Sequence, residues 1–212
     1  MKNQGTSSRP LILMAGGNVW GRILAARLTK FEPIVINEVG TKRAEKLSSW
    51  LAPDYGPPLG DHFAVSDLFA DWPSCDYAIN GGVGAILRSR HLAHPRLGFL
   101  NAHPGLLPQY RGLDPVCWTL LHGDPQGATV HMMDEGIDTG PILIRRSMPW
   151  TPACSVVELR LKVLEFAASL VSEFLGHPEA FPSQPQNLTE GNYWGPFENP
   201  ERLDKSLRET GH

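Results

Sequence analysis

Apolar residues in the first half of this chain come in short runs that stop on glycine or asparagine, and between the runs they recur at helical spacing. Leu11-Ile12-Leu13-Met14-Ala15 is a continuous apolar run, as expected of a strand covered on both faces. Gly16-Gly17-Asn18 breaks it, and Ile23, Leu24 and Leu28 then share one face of a helix predicted over 19–29. Ile34-Val35-Ile36 predicts the next strand, 41–51 another helix, and the proline- and glycine-rich stretch 53–60 a loop. Tyr77-Ala78-Ile79, ended by Gly81-Gly82, and Gly98-Phe99-Leu100 predict two more strands. Helical spacing returns over 116–121, and 128–133 and 142–144 read as strands joined by a loop. Ser155 and Glu158 form a capping-box pattern. They open a long amphipathic helix that buries Leu159, Val163, Phe166, Leu170 and Phe174.

Strands separated by helices predict an α/β fold: a doubly wound, mostly parallel sheet with helices on both faces. The expected domain runs over 1–176. Residues 177–212 form a short, irregular C-terminal extension, with a strand near Tyr193-Trp194, that packs on the domain or on the partner of a homodimer. In such folds the loops after strand ends carry the chemistry.

Charge and composition narrow the function classes. The 212 residues carry a net charge of -3, and nothing basic enough to hold nucleic acid stands out. Cys75, Cys117 and Cys154 are odd in number and form no CxxC, which argues against a disulfide framework or a zinc site and for a reducing compartment. No stretch approaches the length of a membrane span, so the expectation is a cytoplasmic protein with no membrane partner.

Three loops carry candidate chemistry. Gly16-Gly17-Asn18-Val19-Trp20-Gly21 departs from GxGxxG at Asn18 and is either an anion-facing helix start or only a tight turn. Asn101 and His103 stand two apart at a strand end, so both side chains project to one side, between prolines that stiffen the backbone at Pro104 and Pro108. A carboxamide and an imidazole held this way can donate to a developing oxyanion. Asp138 follows the His131 strand in a glycine-flanked loop and can accept a proton or orient His103.

The segments Asn101-Ala102-His103-Pro104-Gly105-Leu106-Leu107-Pro108, continuing to Tyr110-Arg111-Gly112, and Gly127 to Ile142 together resemble the folate-dependent formyltransferases. That superfamily includes the glycinamide ribonucleotide, methionyl-tRNA and amino-sugar N-formyltransferases. The resemblance covers Asn-x-His-Pro, Leu-Leu-Pro, Tyr-Arg-Gly, Gly-x-Thr-x-His and Asp-x-Gly-Pro-Ile, in that order. It implies that Asn101, His103 and Asp138 are catalytic, with His131 a supporting neighbour. It also implies that 10-formyltetrahydrofolate is the formyl donor and binds near Ile86, Leu87, Met133, Glu135, Gly136, Ile137 and Gly140, with no metal. The acceptor, an amine on a small molecule, is expected at Asn18, Arg111 and Asp114. Asp114 has a second reading as the N-cap ahead of Pro115.

Val19 and Trp20 stand where the purine enzyme holds a phosphate, which disfavours glycinamide ribonucleotide. The tRNA enzyme carries a further domain that the stretch after the Ser155 helix does not resemble, which disfavours tRNA. Gly105 and Tyr110-Arg111-Gly112 are closer to the amino-sugar branch, so the candidate acceptors are a nucleotide-linked amino sugar, an amino acid or hydroxylamine derivative, and another small metabolite. Two alternatives stay open. One is a formyltetrahydrofolate deformylase that passes the formyl group to water, although those enzymes carry an added N-terminal domain and the sheet here opens at Leu11. The other is a folate-binding protein without catalysis.

Overall fold

A computed structural model describes residues 9–15, 18–38, 62–63, 72–83, 87–150, 155–198 and 203. The helix expected over 41–51 and the loop over 53–60 lie outside these. The fold is α/β with a mostly parallel sheet. The chain divides into two compact units at Asn101/Ala102. This boundary falls inside a strand.

In the first unit, strand β1 (Leu11–Ala15) lies between β2 (Ile34–Glu38) and β4 (Tyr77–Asn80), parallel to both. Two-residue β3 (His62–Phe63) extends the order beyond β2, and β5 (Gly98–His103) pairs in parallel with β4. Leu11, Ile12, Leu13 and Met14 are all buried, as a strand flanked on both edges and covered on both faces requires. Helix α1 (Val19–Arg27) starts at Asn18, whose side-chain oxygen accepts from the Gly21 N–H in a standard N-cap. A β-carbon on Gly21 would lie 2.7 Å from that of Met14, so the helix reaches β1 only because this position has no side chain. The α-helix is shorter than expected: it ends at Arg27, and a 3-10 turn (Thr29–Phe31) follows. A one-turn helix, α2 (Ser89–Leu92), precedes β5.

In the second unit, β7 (Gly127–Met132) and β8 (Ile142–Ser147) pair antiparallel, Ala128 opposite Arg146. Helix α4 (Val156–Gly176) opens on the expected capping box, with Ser155 Oγ accepting from the Glu158 N–H and Glu158 from the Ser155 N–H. Leu159, Val163, Leu170 and Phe174 are buried; Phe166, expected with them, is half-buried at the edge of the stripe. Leu159 and Val163 close on Val116 of helix α3 (Pro115–His122). Burying aliphatic side chains of this size stabilises the fold by about 1.5–3 kcal/mol each.

The C-terminal extension is built onto this unit. Strand β9 (Asn192–Trp194) pairs in parallel with β6 (Tyr110–Gly112), Arg111 opposite Tyr193. Trp194 stacks on Trp118 at 4.7 Å between ring centroids, and Phe197 meets Trp118 edge-on at 4.8 Å. Both indole N–H groups donate to backbone carbonyls, Trp194 to Gln109 and Trp118 to Gly195. Trp194 and Phe197 thus pack within their own chain, while Tyr193 is exposed. No helix among the described residues is long and apolar enough to cross a membrane.

Candidate active site

Strand β5 runs three residues further than the apolar run Gly98 to Leu100 predicts and carries Asn101 and His103 on its last turn of the pleat. Side chains two apart on a strand share a face, so the strand itself sets both groups to one side. His103 is 4% exposed. Its Nε2 lies 2.6 Å from the Tyr110 carbonyl oxygen. A carbonyl only accepts, so Nε2 carries a proton and donates it there. Nδ1 then faces the Asp138 carboxylate at 3.4 Å. Neutral His103 turns a lone pair toward Asp138, and protonated His103 turns an N–H toward it.

Asp138 is the hub. Its Oδ2 accepts from the Gly112 N–H at 2.9 Å, and its Oδ1 lies 3.6 Å from His131 Nε2. The other nitrogen of His131, Nδ1, donates to the Met132 carbonyl at 2.8 Å. Gly112 can supply its N–H because it holds φ +98, a conformation that glycine adopts without strain. Asp138 itself holds φ +54, in the left-handed region that Asp tolerates better than most residues. Burial works to raise the carboxyl pKa. The charge of His103, the His131 side chain and the Gly112 N–H together outweigh it and hold the group at about 2. Burial pushes His103 below the ordinary histidine value, while Asp138 and the Tyr110 carbonyl pull the other way. The pair therefore sets a dry pocket that disfavours an imidazolium against a carboxylate that favours it.

Asn101 Oδ1 accepts from Asn80 Nδ2 at 3.2 Å. Any hydrogen bond that Asn101 gives to a substrate oxygen comes from its NH2 group, whose direction Asn80 fixes. Asn80 is held in turn: its Oδ1 accepts from the Gly82 and Val83 N–H groups, an Asx turn at the end of β4. Asn80 escapes a reading of the sequence because an Asn before two glycines looks like a turn former, which it also is. The Tyr110 carbonyl and the Gly112 N–H were equally invisible, being backbone groups aimed by a loop.

The remaining expected residues fall into two sets. In the second unit, Met133 is half-buried, Glu135, Gly136 and Ile137 are exposed, and Gly140 is buried on the Asp138 loop. Ile137 at 59% exposed is an apolar side chain with no internal burial to explain it. Leu87 is buried in the first unit, and Ile86 lies outside the described residues.

The three expected acceptor contacts all have internal partners. Asn18 caps α1 and donates to the Gly81 and Gly82 carbonyls at 2.9 and 3.2 Å. Arg111 donates through one terminal nitrogen to the Leu188 and Gly191 carbonyls. Asp114 sits at the N-cap position of α3 but makes no cap bond, because its φ of +51 turns the carboxylate elsewhere. It accepts from Arg160 at 2.7 Å and from the Phe197 N–H at 3.0 Å. The side chain does not make the cap bond expected ahead of Pro115; it links α3 to α4 and to the C-terminal extension.

Residues 70–175, half of the chain, match the family model described as Formyl transferase. Among curated proteins, the methionyl-tRNA formyltransferase of Deinococcus radiodurans is 40% identical over 119 residues, 56% of this chain and 37% of that protein. The chain thus spans little more than a third of the length of that relative. Among solved structures, a 4-N formyltransferase from Francisella tularensis superposes with a TM-score of 0.65 at 18% identity, covering 94% of this chain and 87% of the other. The formyltransferase PseJ from Anoxybacillus kamchatkensis, solved with a UDP-linked formamido sugar and tetrahydrofolate, gives 0.63 at 19% identity, covering 94% and 96%. At these identities the structural matches speak for the fold, while the match over half the sequence speaks for descent: the chain belongs to the formyl transferase family.

Proposed function

We propose that this protein transfers a formyl group from 10-formyltetrahydrofolate to the amine of a small molecule, a nucleotide-linked amino sugar being the leading candidate. The observation that carries the reading is the clasp on His103, whose Nε2 is tied to the Tyr110 carbonyl while Nδ1 faces the ionised Asp138. In this reaction the amine nitrogen attacks the formyl carbon, the carbonyl oxygen becomes negative, and the bond to the folate nitrogen breaks. The Asn101 NH2 donates to that oxygen, and a protonated His103 supplies positive charge beside it. Asp138, held low by its neighbours, stays ionised beside His103. Its role in this reading is to hold charge against His103, so the proton lost by the amine is relayed to the departing nitrogen rather than retained by the carboxylate.

The identity of the acceptor rests on two facts that pull apart. The curated relative from Deinococcus radiodurans acts, by its name, on methionyl-tRNA. The chain's net charge of -3 offers little to a polyanion. Incubation with 10-formyltetrahydrofolate and a panel of acceptors, read by mass, separates them. Formylation of an amino-sugar nucleotide but not of methionyl-tRNA supports the reading. Formylated methionyl-tRNA replaces the acceptor, and turnover without any amine replaces transfer by hydrolysis.

A further inference from the structure

The segment after α4 runs back along the loop that carries Asp138. Gln184 and Ile142 exchange both backbone hydrogen bonds at 2.8 Å, which fixes the segment beside the start of β8. Two residues on, the Gln186 side chain lies across that loop. Its Nε2 donates to the Asp138 carbonyl at 3.0 Å and to the Gly140 carbonyl at 2.7 Å. Both partners are acceptors only, so the amide's nitrogen must be the end that faces them. The other end, Oε1, is buried without a hydrogen-bond partner among the described residues. An orphaned buried oxygen is unfavourable, and an aliphatic side chain would avoid it. Gln brings a neutral terminal NH2 that bridges two carbonyls without adding a charge beside Asp138.

The two bridged carbonyls flank Thr139 and belong to the residues that give the loop its shape. Asp138 holds φ +54, unusual for a residue with a side chain, and such conformations persist where surrounding bonds over-determine them. The Gly112 N–H fixes the carboxylate end of Asp138, and Gln186 fixes its backbone end. We propose that Gln186 is a positioning residue: by clipping the Asp138 and Gly140 carbonyls it holds the left-handed backbone that aims the Asp138 carboxylate at His103 and His131. The C-terminal segment is thereby part of the reaction machinery and more than a cover for the domain. The geometry stands without the formyl-transfer reading, and the catalytic consequence rests on it.

The test uses the full chain with Gln186→Met, which keeps the length of the side chain and removes its donors, and Gln186→Ala as a second variant. Gln186 is only partly buried and has exposed neighbours on both sides, so loss of the fold is not expected. Two readouts are taken. The first is formyl transfer from 10-formyltetrahydrofolate to a UDP-linked 4-amino sugar. The second is the titration of the His103 imidazole by NMR. The groups that face this ring are Asp138, His131 and the Tyr110 carbonyl. With the clip removed, kcat should fall by roughly ten- to a hundredfold, the scale set by a displacement of about 1 Å. Both KM values should stay within about twofold. His103 should titrate at lower pH than in the wild type, because the Asp138 charge is what favours its proton. Wild-type kcat with an unchanged His103 titration overturns the proposal, and so does a drop in Tm with both readouts unmoved, which would make Gln186 a tether only. Failure of the wild type to formylate any amine sinks the functional reading alone, since the titration still decides the role of Gln186.

Discussion

Asp138→Asn removes one negative charge from the site and leaves its shape. Asn tolerates the left-handed region as well as Asp does, so the backbone at φ +54 is not disturbed. The Gly112 N–H selects an oxygen as its partner, so the new amide should keep oxygen at the Oδ2 position, facing His103, and turn its NH2 toward His131. What changes is electrostatic. At the 3.4 Å separation of His103 Nδ1 and Asp138 Oδ2, unit charges in a medium of effective dielectric about 20 attract by roughly 5 kcal/mol. A hundredfold loss of rate corresponds to about 2.7 kcal/mol, so somewhat more than half of that attraction, if present in the transition state, accounts for it. The expected outcome is a kcat lower by at least roughly a hundredfold with the fold intact.

The pH profile makes the same point independently. Asp138 raises the proton affinity of His103 against burial. If the protonated ring is the active form, the rate falls as pH rises through its pKa. In Asp138→Asn that fall should move to lower pH. Steady-state kinetics from pH 5 to 9 and circular dichroism of both proteins decide it. Near-normal kcat, or a limb that does not move, would refute the electrostatic role of Asp138.

Three further outcomes follow from the same structure. Asn80→Ala should lower kcat by roughly tenfold, because it frees the Asn101 amide to rotate, and should cost about 1–3 kcal/mol by denaturant unfolding, because the Gly82 and Val83 N–H groups lose their acceptor. Arg111→Ala should cost on the order of 1 kcal/mol in stability while leaving the acceptor's KM within about twofold, since its bonds go to the Leu188 and Gly191 carbonyls; a large rise in that KM would restore it as a substrate contact. Stability should fall in acid in two stages, measured by chemical unfolding across pH. His103 is depressed below its ordinary 6.5, so its contribution is complete above that value and is lost as pH falls toward the folded pKa; His103→Gln should abolish this stage. Asp138 is depressed from 3.8 to about 2, so its contribution, on the order of 2 kcal/mol, is lost only between those values; Asp138→Asn should abolish this second stage and extend the first to lower pH, because His103 loses the charge that favours its proton.

What could be read from the sequence divides along a physical line. The buried strand at Leu11 to Ala15 and the buried stripe of α4 were legible because burial on a regular element imposes a period on residue type. The Ser155 cap was legible because it is local. Asn101, His103 and Asp138 stood out only jointly, through spacing and family resemblance. The residues that hold them in place follow neither rule. Asn80 lies 21 positions before its partner Asn101, and Gln186 lies 48 after Asp138. Each is a polar residue in a stretch whose composition says only turn or coil. Arg111 and Asp114 show another side of this: the sequence places them beside the Asn101–Pro104 motif, and the structure adds contacts that tie the C-terminal extension and α4 to the loop behind His103. The loop that aims a backbone carbonyl at an imidazole and a backbone N–H at a carboxylate buries Leu107 and Tyr110, and distant segments brace it further. Strand β9 pairs alongside Tyr110 to Gly112, and Gln186 reaches across Asp138 to Gly140. The second unit therefore builds its site from the outside inward, and its least regular stretch of sequence supplies much of the positional precision that the chemistry requires.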